Sequence, residues 1–155
     1  MMQRLQSLFL AGIVIASILL FTFPVATIQG NGIENTILKI NGLYETGLTG
    51  IVERNKTFYL PQINNLLIAL FALASLFLFR NRHLQMILTT INGVLSLILL
   101  LAFVFYLMQV NREYEGTVKA TLTAILPVIM VIFNILAYRA IKRDDDLVKS
   151  LDRLR

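Results

Sequence analysis

Long apolar stretches without charged residues alternate with polar connections along the chain. A helix that crosses the hydrocarbon core of a bilayer, about 30 Å thick, needs roughly 20 apolar residues, because each residue adds about 1.5 Å. Four stretches come close to this length. We therefore predict an all-α membrane protein, a four-helix bundle whose transmembrane helices lie at about residues 8–28, 61–79, 84–108 and 120–138.

The first two predicted helices differ from the other two in how they begin. The first follows Arg4, as in a secretory signal, but its run from Leu8 to Ile28 exceeds the about 7–15 apolar residues of such a signal. We predict that it is retained as a membrane helix. The second begins with the polar residues Gln62, Asn64 and Asn65, so its continuously apolar part starts only at Leu66 and has about 14 residues.

The outer loop between these two helices, residues 29–60, contains strand-like segments. Asn41-Gly42 lies between apolar and β-branched residues, a pattern typical of a type I′ hairpin, in which both central residues need a positive φ. We predict a hairpin there, within a small antiparallel sheet of about two to four strands. A further strand is predicted at 49–53 and a turn at 54–56. Alternatively, the glycine-rich parts of the loop stay mobile.

The segment 141–155 places apolar residues at helical spacing. Acidic residues come first and basic residues follow, which suits the dipole of a helix. We predict a separate amphipathic helix that lies on the membrane surface or docks on a partner, with a solvated tail as the alternative. Its docking residues are Leu147, Val148, Leu151 and Leu154.

Basic residues divide unevenly between the two sides that four helices define. Nine of the 14 Lys and Arg residues lie on the side of the termini, and the whole net charge of +5 lies there too. Because short cytoplasmic segments are enriched in Lys and Arg, we predict that both termini are cytoplasmic. Anionic lipid, rather than nucleic acid, is the expected partner of these charges. The predicted lipid-headgroup belt comprises Arg80, Arg82, Arg139, Lys142 and Arg143.

Composition agrees with one membrane domain that spans residues 1–155. The chain is 57% hydrophobic and 15% charged, whereas soluble domains are about 45–50% apolar and about 25% charged. The sequence has no cysteine, which excludes disulfides and thiolate sites, and the single His83 provides no histidine cluster for a metal. We therefore expect no metal and no cofactor.

The predicted spans contain no Asp, Glu, Lys, Arg or His. Ionisable residues within a membrane are costly, and they mark proton relays, ion pathways and catalytic sites. Their absence argues against a proton-coupled transporter, a voltage sensor and an intramembrane protease. Glutamates outside the spans are interpreted as ordinary charges on solvated turns, so we predict that the protein is not an enzyme.

Polar and small residues within the spans are interpreted as helix–helix contacts. Asn92 and Asn134 lie at similar depth, and an amide contact between helices stabilises by about 0.6–2 kcal/mol, so we predict that they meet. Small residues four positions apart let helices approach closely. These are Gly12, Ala16, Ala120 and Ala124. A bend in the fourth helix is predicted at Pro127.

The two termini resemble those of a family of small four-helix membrane proteins from Bacteroidetes-type bacteria, known as a domain of unknown function. The resemblance lies in residues 2–7, which open directly into the first apolar run, and in residues 139–155. It implies a bacterial inner membrane and assigns no catalytic residues. The topology is also similar to that of claudin-like proteins, but their Trp-Gly-Leu-Trp motif and paired cysteines are absent.

Together these features favour a non-catalytic accessory or scaffold subunit of a larger bacterial membrane or envelope complex. Its expected partners are other membrane or envelope proteins and membrane lipids, anionic on the cytoplasmic side. The alternative is a small channel, carrier or lipid-handling protein that uses an uncharged cleft between helices near Asn92, Ser96 and Asn134.

Overall fold

The computed structural model describes residues 3–29, 35–46, 52–78, 81–113 and 117–152. Within them the chain forms four α-helices, five β-strands and a short 3₁₀-helix. The helices are α1 (Gln3–Thr22), α2 (Tyr59–Phe77), α3 (Arg82–Glu113) and α4 (Leu126–Asp152), and the 3₁₀-helix is Leu122–Ile125. The strands are β1 (Ala26–Gln29), β2 (Asn35–Lys39), β3 (Gly42–Thr46), β4 (Val52–Thr57) and β5 (Thr117–Ala120).

The helices have the length and the surface of a membrane protein. Three described segments are long and apolar enough to cross a bilayer, namely Tyr59–Phe77, Arg82–Arg112 and Leu122–Ser150, and Gln6–Thr22 is a shorter apolar helix. Large apolar side chains such as Leu101 and Phe105 point outward, 60% and 64% exposed. In water such a surface would mark an interface, whereas lipid covers it at no cost. The predicted four-helix membrane protein with a small sheet is confirmed.

The four helices form a bundle in which each contacts two neighbours. α1 packs against α2 and α4, and α3 packs against the same two helices. The shared core is apolar and fully buried at Leu10, Ile13, Ile68, Leu99 and Met130. Because connected helices alternate in direction, α1 ends where α2 begins, and the sheet lies at this end of the bundle.

The strands form one antiparallel sheet in the order β4-β3-β2-β1-β5. It is anchored to the bundle next to α1, where the Val25 amide donates to the Leu38 carbonyl at 2.8 Å and the Thr121 amide donates to the Val25 carbonyl at 2.9 Å. A second apolar cluster joins the sheet to the last turns of α3 through Leu43 and Val110. The sheet therefore closes one end of the helices.

Two predicted helix boundaries are corrected by strands of this sheet. α1 ends at Thr22 rather than at residue 28, since Pro24 has no amide to continue the helix and Ala26–Gln29 pairs with β2 on one side and β5 on the other. The fourth helix begins at Leu126 rather than at residue 120. Pro127 consequently lies in its first turn, where the missing amide has no partner to lose, so the bend predicted there is wrong.

The predicted hairpin is present, but its turn is displaced by one residue. Lys39 pairs with Gly42, so the two loop residues are Ile40 and Asn41. Gly42 has a φ of 152°, and no described residue other than glycine has a positive φ. Asn41 therefore does not adopt the type I′ conformation. Glycine provides the unusual φ at the first position of β3 instead.

The turn predicted at 54–56 is part of strand β4. Leu43 pairs with Lys56 and Tyr44 pairs with Arg54, so Asn55 is an extra residue that forms a bulge. A bulge accommodates this polar run without ending the strand, and for that reason no turn is needed. Of the strand predicted at 49–53, residues 49–51 lie outside the described part of the chain.

The tail does not form a separate helix. α4 continues without a break from Leu126 to Asp152, because no glycine or proline interrupts residues 139–152. α3 is also longer than predicted, from Arg82 to Glu113. Leu154 lies outside the described residues, and the side chain of Leu151 does as well.

Candidate functional site

Polar side chains of the helices face the interior of the bundle. On α3, Gln85, Thr89, Asn92 and Ser96 follow one another at intervals of four, three and four residues, which places them on one face. All four are buried. Outside this face the helix meets lipid, where an uncompensated amide costs several kcal/mol, so polar residues turn inward.

Amide hydrogen bonds join α2 to its two neighbours. Asn65 and Ser17 form a reciprocal pair between α2 and α1, in which Nδ2 of Asn65 donates to the Ser17 carbonyl at 3.1 Å and Oγ of Ser17 donates to the Asn65 carbonyl at 3.2 Å. Asn64 reaches α3, where its Nδ2 donates to the Leu95 carbonyl at 3.1 Å. The two asparagines at the start of α2 are therefore hydrogen-bonded to α1 and α3 and are not exposed to lipid as unpaired amides.

Three further amides hold the rest of the bundle together. Gln85 Nε2 donates to the Ser75 carbonyl at 3.1 Å, which joins α3 to α2 near the termini. Gln6 Nε2 donates to the Ala140 carbonyl at 3.1 Å, which joins α1 to α4. At the remaining interface, Nδ2 of Asn134 on α4 donates to Oγ of Ser96 on α3 at 2.9 Å. Each pair of neighbouring helices thus shares at least one such bond.

The predicted hydrogen-bonded contact between Asn92 and Asn134 is corrected. Nδ2 of Asn134 donates to Ser96 Oγ and to the Met130 carbonyl, both at 2.9 Å. Asn92 is fully buried, yet neither atom of its amide has a partner among the described residues. Ser96 and Met130 accept from Nδ2 of Asn134, which leaves no donor of Asn134 for Asn92. Oδ1 of Asn134 also has no partner among the described residues, so no hydrogen bond joins the two amides in either direction.

The small residues predicted at helix contacts occupy different places. A Cβ added to Gly12 would lie 2.6 Å from Cε2 of Phe133, so this glycine admits the ring between α1 and α4, and Ala16 is buried nearby on α1. Ala124 packs against the core from the 3₁₀-helix. Ala120 is exposed at the end of β5. The pair Ala120 and Ala124 therefore does not form a small-residue face of one helix.

A groove of about 580 Å³ lies between α3 and α4 and opens to the side of the bundle. Its α3 wall contains Gly93, where a Cβ would meet only Cβ of Asn134, at 3.7 Å, so the absent side chain leaves space beside α4. The remaining wall is predominantly apolar. The residues that line it below its basic end include Thr89, Thr90, Val94, Leu97, Val131 and Ile135.

Basic residues stand at one end of the groove. Tyr138, Arg139 and Lys142 line its end toward the termini. A shallow depression of about 420 Å³ continues from there past Arg139, Lys142 and Arg143 to Asp146. All three cations are exposed, and no ion pair engages them among the described residues.

The other members of the predicted basic belt differ from these three. Arg82 is half-buried, and its Nη2 lies 3.2 Å from Oδ2 of Asp144 while its Nη1 donates to the Asp144 carbonyl at 3.2 Å. This residue ties α3 to α4 and is not free for lipid. Arg80 lies outside the described residues. Among the described members of the predicted belt, Arg139, Lys142 and Arg143 on α4 are therefore the ones exposed and outside an ion pair.

A second, smaller groove of about 330 Å³ lies on the other side of Tyr138. It is lined by Met86, Ile87, Thr90 and Ile91, with His83 at its end toward the termini. Thr90 and Tyr138 belong to both grooves and form the ridge between them. Both volumes fall within the range of about 300–1,000 Å³ that is typical of ligand pockets.

The predicted docking residues of the tail lie beyond this site. Leu147 and Val148 are 45% and 38% exposed. Lys149 is paired with Asp145 on the same helix at 2.5 Å. Leu147 and Val148 are thus exposed apolar side chains on a segment of α4 that is otherwise charged. They form a candidate contact surface for another protein.

Sequence reasoning missed the amides of Gln6, Asn64, Asn65 and Gln85 as links between helices. The signal for Gln85 was available, because it continues the inward face of Thr89, Asn92 and Ser96 at helical spacing. The grooves gave no comparable signal, since they depend on how α3 and α4 pack. Among the described residues, no group of His, Asp and Glu side chains could hold a metal ion.

A known protein family covers the whole arrangement. The family described as a domain of unknown function, DUF4293, matches residues 2–154. The chain belongs to this family. The match includes the sheet, all four helices and both grooves, so the candidate site lies within the family domain. A search of curated proteins found no match.

Proposed function

We propose that the protein is a non-catalytic accessory subunit of a membrane or envelope complex in a bacterial inner membrane. The proposal rests mainly on the shape of α4. This helix continues without a break past the basic residues Arg139, Lys142 and Arg143, and beyond them it presents the exposed side chains of Leu147 and Val148. The spans predicted from the sequence contain no Asp, Glu, Lys, Arg or His, which supports a scaffold over a pump, proton carrier or protease.

The proposed orientation places both termini in the cytoplasm. Nine of the 14 Lys and Arg residues belong to the side of the termini, including Arg139, Lys142 and Arg143 at the end of the predicted span of α4. Positive charge in short segments is retained on the cytoplasmic side. The sheet would then face the periplasm, and the extension of α4 would face the cytoplasm.

The extension offers its partner a small apolar surface on a helix. Leu147 and Val148 lie four to five residues beyond Arg143, about 6–8 Å further along the helix axis, where water rather than hydrocarbon surrounds the chain. Asp145 and Lys149, which lie on either side of Leu147 and Val148 in the sequence, form an ion pair with one another, so their charges cancel beside the apolar surface. The partner that fits is a cytoplasmic helix of another membrane protein, packed at about 8–10 Å.

The test compares tagged full-length protein with a variant carrying Leu147→Asp and Val148→Asp, each purified from its native membrane in mild detergent. We expect the wild type to retain one stoichiometric membrane-protein partner and the variant to lose it. Lys149→Asp changes the charge of the same helix by the same two units, at an exposed position that does not line the depression beside Leu147, and is the matched control that should keep the partner. A monodisperse wild type without a stoichiometric partner would overturn the proposal.

A second function, lipid handling, is favoured by the groove between α3 and α4. The groove opens sideways and is lined by Asn134, one of the three residues near which the sequence predicts the cleft, but not by Asn92 or Ser96. It is uncharged except at the end where Arg139 and Lys142 stand. Along α4 it runs from Lys142 to Val131, about 16 Å at about 1.5 Å per residue. That is roughly half of the about 30 Å hydrocarbon core. A cleft confined to one leaflet suits a lipid and does not suit a pore.

A further inference from the structure

We propose that the two grooves bind one anionic, two-chain phospholipid from the leaflet on the side of the termini. Its phosphate would contact Arg139, Lys142 and Arg143, and its chains would lie on either side of the ridge of Thr90 and Tyr138. The site deepens the lipid-handling function. The depression that holds the headgroup is also lined by Leu147 and Ser150, so it shares Leu147 with the proposed partner surface, whereas Val148 does not line it.

The shape of the site argues for two chains. The grooves of about 580 and 330 Å³ meet at Thr90 and Tyr138 and run side by side from the end of the bundle that carries the termini. A single-chain ligand would fill one groove and leave the other empty. Tyr138 is well placed at the branch point, because an amphipathic ring prefers the level of the lipid headgroups.

The walls below this ridge are suited to hydrocarbon rather than to a polar solute. The hydroxyl of Thr89 donates to the Gln85 carbonyl at 2.8 Å, and that of Thr90 donates to the Met86 carbonyl at 2.9 Å, so both protons are used within α3. Asn134 directs its amide donor inward, to Ser96 and Met130. The donors of these three side chains are therefore engaged away from the groove, and van der Waals contact with a chain remains.

The charge at the mouth selects the headgroup. Arg139, Lys142 and Arg143 border the depression with one acid, Asp146, which leaves an excess of positive charge. Two further cations in the described part of α3 and α4 are engaged by acids, Arg82 by Asp144 and Lys149 by Asp145. A basic pocket between helices on the cytoplasmic side is an established recognition mode for anionic headgroups.

The test is native mass spectrometry of the purified full-length protein in detergent, titrated with phosphatidylglycerol or with phosphatidylcholine of the same chains. We expect one phosphatidylglycerol per protein, bound at least about tenfold more tightly than phosphatidylcholine. The soluble headgroup glycerol phosphate should fail to compete at the same concentration. Equal binding of the two lipids, or competition by glycerol phosphate, would overturn the proposal.

Variants separate the headgroup from the chains. Arg139→Gln with Lys142→Gln should weaken phosphatidylglycerol binding about tenfold and remove the preference over phosphatidylcholine. Arg112→Gln with Lys119→Gln makes the same change in charge at the sheet end of the bundle and should change neither value. Equal losses in both pairs would mean that net charge alone attracts the lipid, and the site would be rejected.

Gly93→Leu should fill the larger groove and weaken both lipids to a similar degree. Gly93→Ala is the fallback where leucine prevents folding, since its Cβ makes only an ordinary contact with Asn134. Circular dichroism and a monodisperse elution profile establish folding for each variant. Undiminished binding by a folded Gly93→Leu protein would exclude the groove as the chain site. Val148→Asp changes the partner surface at a residue that does not line the depression, so loss of the partner with retained lipid binding in this variant would separate the two proposals.

Discussion

Asn134 donates a hydrogen bond to Ser96 across the α3–α4 interface at 2.9 Å, whereas Asn92, one turn away on α3, is fully buried with an unpartnered amide. Oδ1 of Asn134 also has no partner among the described residues, so the two asparagines differ in the bonds of Nδ2. We expect this difference to make their contributions to the stability of the bundle unequal. A hydrogen-bonded amide joins two helices, whereas the desolvation cost of burying an unbonded amide is not offset by a hydrogen bond.

Replacing each asparagine by leucine should separate these contributions. Asn134→Leu removes the bonds to Ser96 and Met130 and should lower the free energy of unfolding by about 0.6–1.7 kcal/mol. Asn92→Leu removes two unsatisfied polar atoms and should leave that free energy unchanged or raise it by about 1 kcal/mol. Reversible unfolding in mixed micelles measures both values. A larger loss of stability in Asn92→Leu than in Asn134→Leu would contradict the prediction.

The close approach of Gly12 to Phe133 predicts a clash that a second substitution relieves. Gly12→Ala places a Cβ 2.6 Å from the ring and should destabilise the bundle by about 1–3 kcal/mol through overpacking. Phe133→Leu in the same chain should recover part of this loss, so the two changes should be non-additive in a double-mutant cycle.

Gly93→Ala is the control for the Gly12 experiment. It is also a helical glycine, but its new Cβ would stand 3.7 Å from the nearest atom, so no clash arises. Its effect on the free energy of unfolding should be small and of either sign. Equal destabilisation by Gly12→Ala and Gly93→Ala would show that helix propensity or lipid contact, and not the Phe133 ring, decides the cost.

The helices could be predicted from the sequence because their signal is local. A run such as residues 84–108 is long, predominantly apolar and free of charged residues, and a helix satisfies its backbone hydrogen bonds within the segment, as a bilayer requires. The hairpin at β2 and β3 is local for the same reason, since Gly42 lies next to its own turn. The sequence did not reveal that Gly42 begins a strand, because the register depends on pairing with both β2 and β4.

Strands β1 and β5 show why other parts could not be predicted. Each has four residues, and β1 is held between β2 and β5, which are far apart in sequence from one another. Such a strand takes its conformation from tertiary pairing rather than from its own propensity. The site has the same origin. Thr90 and Tyr138 form one ridge only after α3 and α4 have packed, so no spacing within the sequence marks them.

The contact of Arg82 with Asp144 predicts how firmly the extension of α4 is held. Both side chains are largely shielded, at 26% and 17% exposure, and Arg82 reaches the carboxylate and the carbonyl of the same residue. Arg82→Gln should therefore loosen α4 beyond Asp144 and raise amide hydrogen exchange there by roughly three- to tenfold, equivalent to about 0.7–1.4 kcal/mol.

Lys149→Gln provides the matched control on the same helix. Its partner Asp145 lies one turn away, and Lys149 is well exposed, so this pair should add little to local stability. Hydrogen exchange measured by mass spectrometry on residues 145–152 should then rise clearly in Arg82→Gln and little in Lys149→Gln. If the two variants exchange alike, the extension is held by its own helical bonds, and the link from α3 does not position the surface at Leu147 and Val148.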